Sequence, residues 1–231
     1  MIQDPEDQYI TTILSQCDLR GKDILEIGCG KGRITRDLAK HARMVVATDP
    51  DAASLAKAHA DIRANNVEFI RAPNGIPEFP AGSFDVVIYT LSLHHVPVMA
   101  MTDSLRAAAR LVGRNGCIIV VEPGNGGSFL EAKARFGAGS GDETPAREAA
   151  IRAMHALEDW TVGETVTFRT QFRFNDDEDF LINMLPNYRQ QPETFLTAVR
   201  HFLDQHRTGN GIVLDSGRCL NILRPCSTDP S

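Results

Sequence analysis

Five short apolar runs punctuate the first half of the chain, and a stretch of helical period follows most of them. They read DILEI at Asp23–Ile27, MVVAT at Met44–Thr48, VEFIR at Val67–Arg71, FDVVIYT at Phe84–Thr90 and CIIVV at Cys117–Val121. Runs that are apolar on both faces suit a parallel sheet covered on both sides. The segments at 5–19, 33–41, 52–65 and 98–112 place apolar residues at helical spacing. Strand, helix and strand in alternation mean βαβ units. The expectation is an α/β, doubly wound, mostly parallel seven-stranded sheet, Rossmann-like, with helices on both faces. A chain of 231 residues has enough length to bury such a core without disulfides.

The pattern changes after Pro123. GNGGS and FGAGSGDETP are turn-rich, and residues 146–160 read as a helix. Thr165–Phe174 alternates like a strand with one polar face. Helical stretches follow at 177–185 and 192–207, then an apolar run, CLNILR. The expected organisation is one domain over 1–231. It comprises an N-terminal helix (1–20), a core (20–123), a cap insertion with its connection (124–210), and a last strand with a frayed tail (211–231). The glycine density of 124–145 predicts a mobile segment beside the site mouth.

The formal net charge of −6 works against a broad nucleic-acid surface. No apolar run is long enough to span a bilayer, and the polar start MIQDPEDQYI is not a secretory signal. Five cysteines without a C-x-x-C pair point to reduced thiols, a cytoplasmic setting and no metal site.

The first run opens the most informative motif, ILEIGCGKGRIT at Ile24–Thr35. A strand, a glycine loop and a helix make a generic nucleotide site. Glycine allows close ligand approach, and the helix start offers unpaired N–H groups. A dinucleotide site wants G-x-G-x-x-G, and its third glycine would fall where Arg33 stands. A bulky cation there opposes the close packing of helix on sheet.

The segment E-I-G-C-G-K-G resembles the first motif of class I S-adenosylmethionine-dependent methyltransferases, E/D-x-G-x-G-x-G. An acid, Asp49, closes the second strand about 20 residues on. FPAGSFDVVIYTLSLHHV and AARLVGRNGCIIVVEP resemble the corresponding stretches of the ubiquinone and menaquinone biosynthesis methyltransferases. The likeness covers roughly residues 20–123. It implies S-adenosylmethionine as cofactor and S-adenosylhomocysteine as product. Glu26, Gly28, Cys29, Gly30, Asp49, Pro50, Ala72, Pro73, Thr90 and Leu91 are the cofactor contacts it implies, with Asp49 on the ribose. FIRAPNGIP departs from the pattern: Arg71-Ala72-Pro73 stands where an adenine-binding acid is expected, and Asn74 offers an oxygen instead.

His94 and His95 follow the fourth strand, near where a methyl acceptor would sit, and are the candidate catalytic residues. A structural reading, one packing and one capping, stands level with that. Tyr9, Phe129, Phe136 and Trp160 are read as core or pocket aromatics. No N-P-P-Y-type motif follows the fourth strand, which argues against a DNA adenine methyltransferase. A small organic acceptor is expected, with a protein side chain as a further option. An NAD-dependent oxidoreductase and a non-catalytic S-adenosylmethionine-binding protein remain as alternatives.

Overall fold

The structure, a computed structural model, describes residues 1–226. The tail expected to fray lies at 227–231, outside the described residues. In chain order the first elements are β1 (Ile2–Gln3), α1 (Gln8–Gln16), β2 (Asp23–Ile27), α2 (Arg33–Leu38), β3 (Met44–Asp49) and α3 (Ala52–Asp61). Next come β4 (Val67–Arg71), β5 (Phe84–Thr90), 3₁₀ turns at Leu93–His95 and Val98–Ala100, α4 (Met101–Leu111), and β6 (Val112–Pro123). The remainder comprises α5 (Ser128–Phe136), α6 (Thr144–His155), β7 (Trp160–Val162), β8 (Val166–Phe174), α7 (Asp177–Met184), a 3₁₀ turn at Tyr188–Gln190, α8 (Glu193–Asp204), β9 (Arg207–Thr208) and β10 (Gly211–Pro225).

The chain forms two compact units. The larger comprises residues 12–122, 144–166 and the C-terminal stretch from Cys219. Its sheet has the order β6-β5-β2-β3-β4, and every neighbouring pair is parallel. The end of β10 lies beside β6, and β7 pairs antiparallel with it, Leu223 opposite Val162. The sheet is therefore mixed rather than wholly parallel. Leu25, Ile27, Val87, Tyr89, Ile118 and Val120 share one core with Leu105 and Leu111 of α4 and Ala150 and Met154 of α6. Residues of the opposite parity (Ile24, Val45, Val86, Ile88, Ile119) are equally buried, as are Leu38 of α2 and Ala58 of α3. Each such aliphatic side chain contributes about 1.5–3 kcal/mol.

The smaller unit comprises 1–11, 123–143 and 167–218. Here β1 pairs antiparallel with β8, and β9 with the start of β10. Its core is aromatic, with Phe129 stacked on Phe172 at 4.1 Å and Phe174 edge-on to Phe180.

Several boundaries depart from the periodicity. The first helix starts at Gln8, because the Asp4 carboxylate accepts the Gln8 and Tyr9 N–H groups at 2.9 and 3.0 Å. The third stops at Asp61, where Ile62 turns extended. The 98–112 stretch opens with a 3₁₀ turn before α4. Trp160, read as the end of a helix, starts β7; the helix ends at His155. Between the two glycine clusters lies α5, closed by left-handed Gly137. Its Phe129 and Ala132, three apart on one face, are buried.

Candidate functional site

In the larger unit the chain order reverses between β2 and β5, which are sheet neighbours. At such a switch point the loops leaving the two strands diverge and open a crevice beyond their C-terminal ends. A cavity of about 840 Å³ lies there. Its walls include Gly28 and Gly30 after β2, Asp49 and Pro50 after β3, Pro73 and Asn74 after β4, and Leu91 and His95 after β5.

The glycine loop answers different demands at each position. Gly28 has φ +77°, and a Cβ there would overlap the Cβ of Ser92. The Ser92 hydroxyl donates to the Ile27 carbonyl at 2.5 Å, which locks the β5 loop against the β2 loop. At Gly32 the added carbon would lie 2.5 Å from Cδ1 of Ile62, just past α3, and 3.0 Å from Cβ of Ala58 within it. At Gly30 a Cβ would meet nothing within 4 Å. Of the two that line the cavity, Gly30 is the one where an added Cβ would meet no protein atom within 4 Å.

Asp49 is 9% exposed and held from two sides. The Gly30 N–H donates to Oδ2 at 2.8 Å and the Asp51 N–H to Oδ1 at 2.9 Å. Each carboxylate oxygen accepts one bond and has a second lone-pair site. Asp51 is the N-cap of α3, accepting from Ala53 and Ser54, so the two acids have separate tasks.

Glu26, Cys29, Ala72, Thr90 and His94 stand behind the cavity wall rather than in it. Glu26 is 2% exposed and accepts the Thr35 hydroxyl at 2.5 Å. Burial pushes its carboxyl up from 4.5 to about 7, and the nearby Asp49 and Asp37 add to this; Thr35 and Arg33 pull the other way. The folded state thus holds a proton that the unfolded chain releases above 4.5. The stability this contributes is complete below pH 4.5 and is lost as pH rises through 7. Thermal melts of wild type and Glu26→Gln are expected to nearly coincide at pH 5 and to separate by pH 8. The variant should then be the more stable by about 1–3 kcal/mol. Parallel pH–stability curves would remove the buried proton from the picture.

The Cys29 thiol is pushed well above its ordinary range by burial, Glu26 and Asp49, which leaves it a packing group. Thr90 ends β5 with a buried hydroxyl that has no hydrogen-bond partner. Leu91 follows at φ +55°, a left-handed conformation that a non-glycine residue holds only where its surroundings impose it.

The structure separates the two histidines. His94 is buried, and its Nδ1 lies 2.5 Å from Glu122 Oε2. His95 is exposed, lines the cavity and lies with its ring 4.1 Å from that of His94. The aromatics named from the sequence are core groups: Tyr9 is fully buried in the smaller unit, Phe129 and Phe136 belong to its aromatic cluster, and Trp160 packs on the core of the larger unit.

Sequence reading missed Ser92 and the face of α4. Ala100, Ser104 and Ala107 line the cavity. Their i, i+4, i+7 spacing, small residues from the N-cap of α4 along one of its faces, was the available signal.

Comparison with known proteins agrees with this geometry. Residues 24–116 match the family described as "Methyltransferase domain". The chain is 32% identical over 113 residues to a ubiquinone biosynthesis O-methyltransferase of Xanthomonas oryzae pv. oryzae, covering 45% of this chain and 44% of that protein. It is 33% identical over 87 residues to one from Coxiella burnetii, covering 37% of each. The chain thus spans less than half the length of the curated relatives it matches. Among solved structures, the YcgJ protein of Bacillus subtilis superposes with a TM-score of 0.64 at 14% identity, covering 96% of this chain and all of that one. The [4+2]-cyclase SpnF gives 0.61 at 15%, covering 96% and 81%. The DhpI–SAH complex gives 0.53 at 19%, covering 96% and 85%. At these identities the structural likeness speaks of fold alone. By strand order, by the loop motif from Glu26 to Gly32 and by sequence match, residues 24–116 are similar to the methyltransferase domain family.

Proposed function

We propose that this protein transfers the methyl group of S-adenosylmethionine to a small organic acceptor, an O-methylation by analogy with its named relatives. The observation that carries the reading is the pairing of Gly30 with Asp49 on the cavity wall. The two lone-pair sites left on Asp49 suit two neighbouring hydroxyls, as a ribose presents, and Gly30 keeps the approach clear. Pro50, Pro73, Asn74 and Leu91 would enclose the nucleoside. Glu26 would set the loop through Thr35 rather than touch the ligand. The unsatisfied Thr90 hydroxyl adds a polar group at the same strand end. When bound there, S-adenosylmethionine supplies a methyl group made electrophilic by its sulfonium. The chain's own task is to hold the acceptor in line and keep water out. For a hydroxyl acceptor, His95 would take the proton at the cavity wall, with His94 and Glu122 positioning it.

Residues 20–123 are assigned the cofactor, and 124–210, where the sequence leaves the core pattern, the choice of acceptor. No helix among the described residues is long and apolar enough to cross a membrane. Five free thiols support a cytoplasmic location. A second reading, binding without methyl transfer, has its own support. One fold neighbour is named a [4+2]-cyclase, and Arg71-Ala72-Pro73 lacks the adenine-binding acid.

Calorimetry with S-adenosylmethionine, S-adenosylhomocysteine and NAD, followed by a methyl-transfer screen over a metabolite library, separates the readings. Micromolar S-adenosylhomocysteine binding with a methylated product supports methyl transfer. Binding without any product favours the second reading, and NAD binding alone returns the oxidoreductase. Asp49→Ala is expected to weaken S-adenosylhomocysteine binding by about 1.5–3 kcal/mol. Unchanged affinity in a folded variant would end the ribose assignment.

A further inference from the structure

Two thiols far apart in sequence meet in the larger unit. Cys17 follows the last turn of α1, its N–H bonded to the Ile13 carbonyl at 2.9 Å. Cys117 sits within β6 and is 5% exposed. Their sulfurs are 3.9 Å apart and in hydrogen-bond contact. An isolated buried cysteine usually acts as a small apolar filler. Here the pairing makes the two thiols chemically unequal. The hydrogen-bond contact with Cys117 lowers the Cys17 thiol from 9.0 to about 7; Arg224 and Lys22 assist, while burial and Asp18 oppose. The same contact and burial push Cys117 well above its ordinary range. Cys17 is also only partly buried, so a small oxidant can reach it. One thiol is thus accessible and the other a buried neighbour within reach, the arrangement of a nucleophilic and a resolving thiol.

We propose that Cys17 and Cys117 form a reversible disulfide when the protein meets a hydroperoxide. In the first step the Cys17 thiolate attacks the peroxide. An S–O bond forms, the O–O bond breaks, and hydroxide or alkoxide leaves with the electron pair. Cys17 is then a sulfenic acid. In the second step the Cys117 sulfur attacks the Cys17 sulfur, an S–S bond forms, and the sulfenic oxygen leaves as water with the Cys117 proton. The sulfurs must close from 3.9 Å to about 2.05 Å, a movement on the scale of side-chain rotation. The bond closes a loop with a sequence separation of 100 residues. Every cavity-lining residue, from Ile27 to Ala107, lies within that loop. Oxidation would therefore tether the whole segment that builds the site, and a thiol reductant would release it.

The test uses the chain as it stands. It is treated with hydrogen peroxide at pH 7.5, blocked with iodoacetamide in denaturant without reductant, and digested. A peptide joining Cys17 to Cys117 is expected, with the five free thiols reduced by two and restored by dithiothreitol. In Cys117→Ser the same dose should leave a dimedone-reactive sulfenic acid on Cys17; in Cys17→Ser no linked peptide should form. The idea fails if both cysteines are recovered alkylated at a dose that oxidises exposed Cys226. It fails equally if Cys17 proceeds to sulfonic acid without the linked peptide, or if the links formed join other cysteines.

Discussion

His95→Ala is expected to lower methyl transfer by roughly 10²-fold or more, once an acceptor with a hydroxyl is in hand. Affinity for S-adenosylhomocysteine should change less than about threefold, because the role proposed for the side chain is on the acceptor. The expectation rests on position. His95 lines the cavity, whereas His94 is buried behind it against Glu122. The loss should appear in kcat, with KM changed little. His95→Gln separates the two functions of an imidazole. It can hold an acceptor by a hydrogen bond but cannot take up its proton, so it should stay as slow as Ala if the residue is a base. Glu122→Gln removes the carboxylate from His94 Nδ1 and should cost about tenfold, with little further loss in the His95→Ala background. Full activity in His95→Ala would return the pair to a structural role. Alignment and exclusion of water would then be the whole mechanism.

The glycine loop carries the second large effect, in opposite directions at neighbouring sites. Gly28→Ala is expected to destabilise the fold by roughly 2–5 kcal/mol, from overlap with Ser92 and the left-handed backbone at φ +77°. For a chain of this size that is a fall in Tm of roughly 5–15 °C. Gly30→Ala is also left-handed, at φ +55°, but its new methyl group meets no protein atom. Its stability cost should stay near 1–2 kcal/mol. Its affinity for S-adenosylhomocysteine should nevertheless drop at least tenfold, because Gly30 lines the cavity beside Asp49, to which its N–H donates. Differential scanning calorimetry and titration calorimetry on both variants check this. Equal stability of the two, or undiminished affinity in a folded Gly30→Ala, would contradict the division of labour.

Much of this was legible along the chain because the relevant forces are local. A strand buried on both faces must be apolar throughout, so DILEI, MVVAT and FDVVIYT declared a parallel sheet before any contact was known. The acid closing β3 and the glycines after β2 lie at spacings imposed by one βαβ unit. Local period did less well where a cap or a core partner decided the outcome. Asp4 shifted the start of α1, and α5 formed between glycine clusters because Phe129 and Ala132 had an aromatic core to enter.

What tertiary structure alone decided are the pairings across long separations. Nothing near Gly28 in sequence requires it to be bare; Ser92, brought beside it by the β2–β5 neighbourhood, does. His94 and His95 are indistinguishable as adjacent letters. They part company because a 3₁₀ turn directs one ring to Glu122, 28 residues on, and leaves the other at the cavity. Cys17, just after α1, and Cys117, within β6, likewise become a pair only in the folded chain. Sequence by itself determined the elements and the motif, since both depend on residues within one unit of secondary structure. Which atoms face the cavity, and which thiols and carboxylates share a site, depend on how the crossovers fold back, and that is set by packing of the whole sheet.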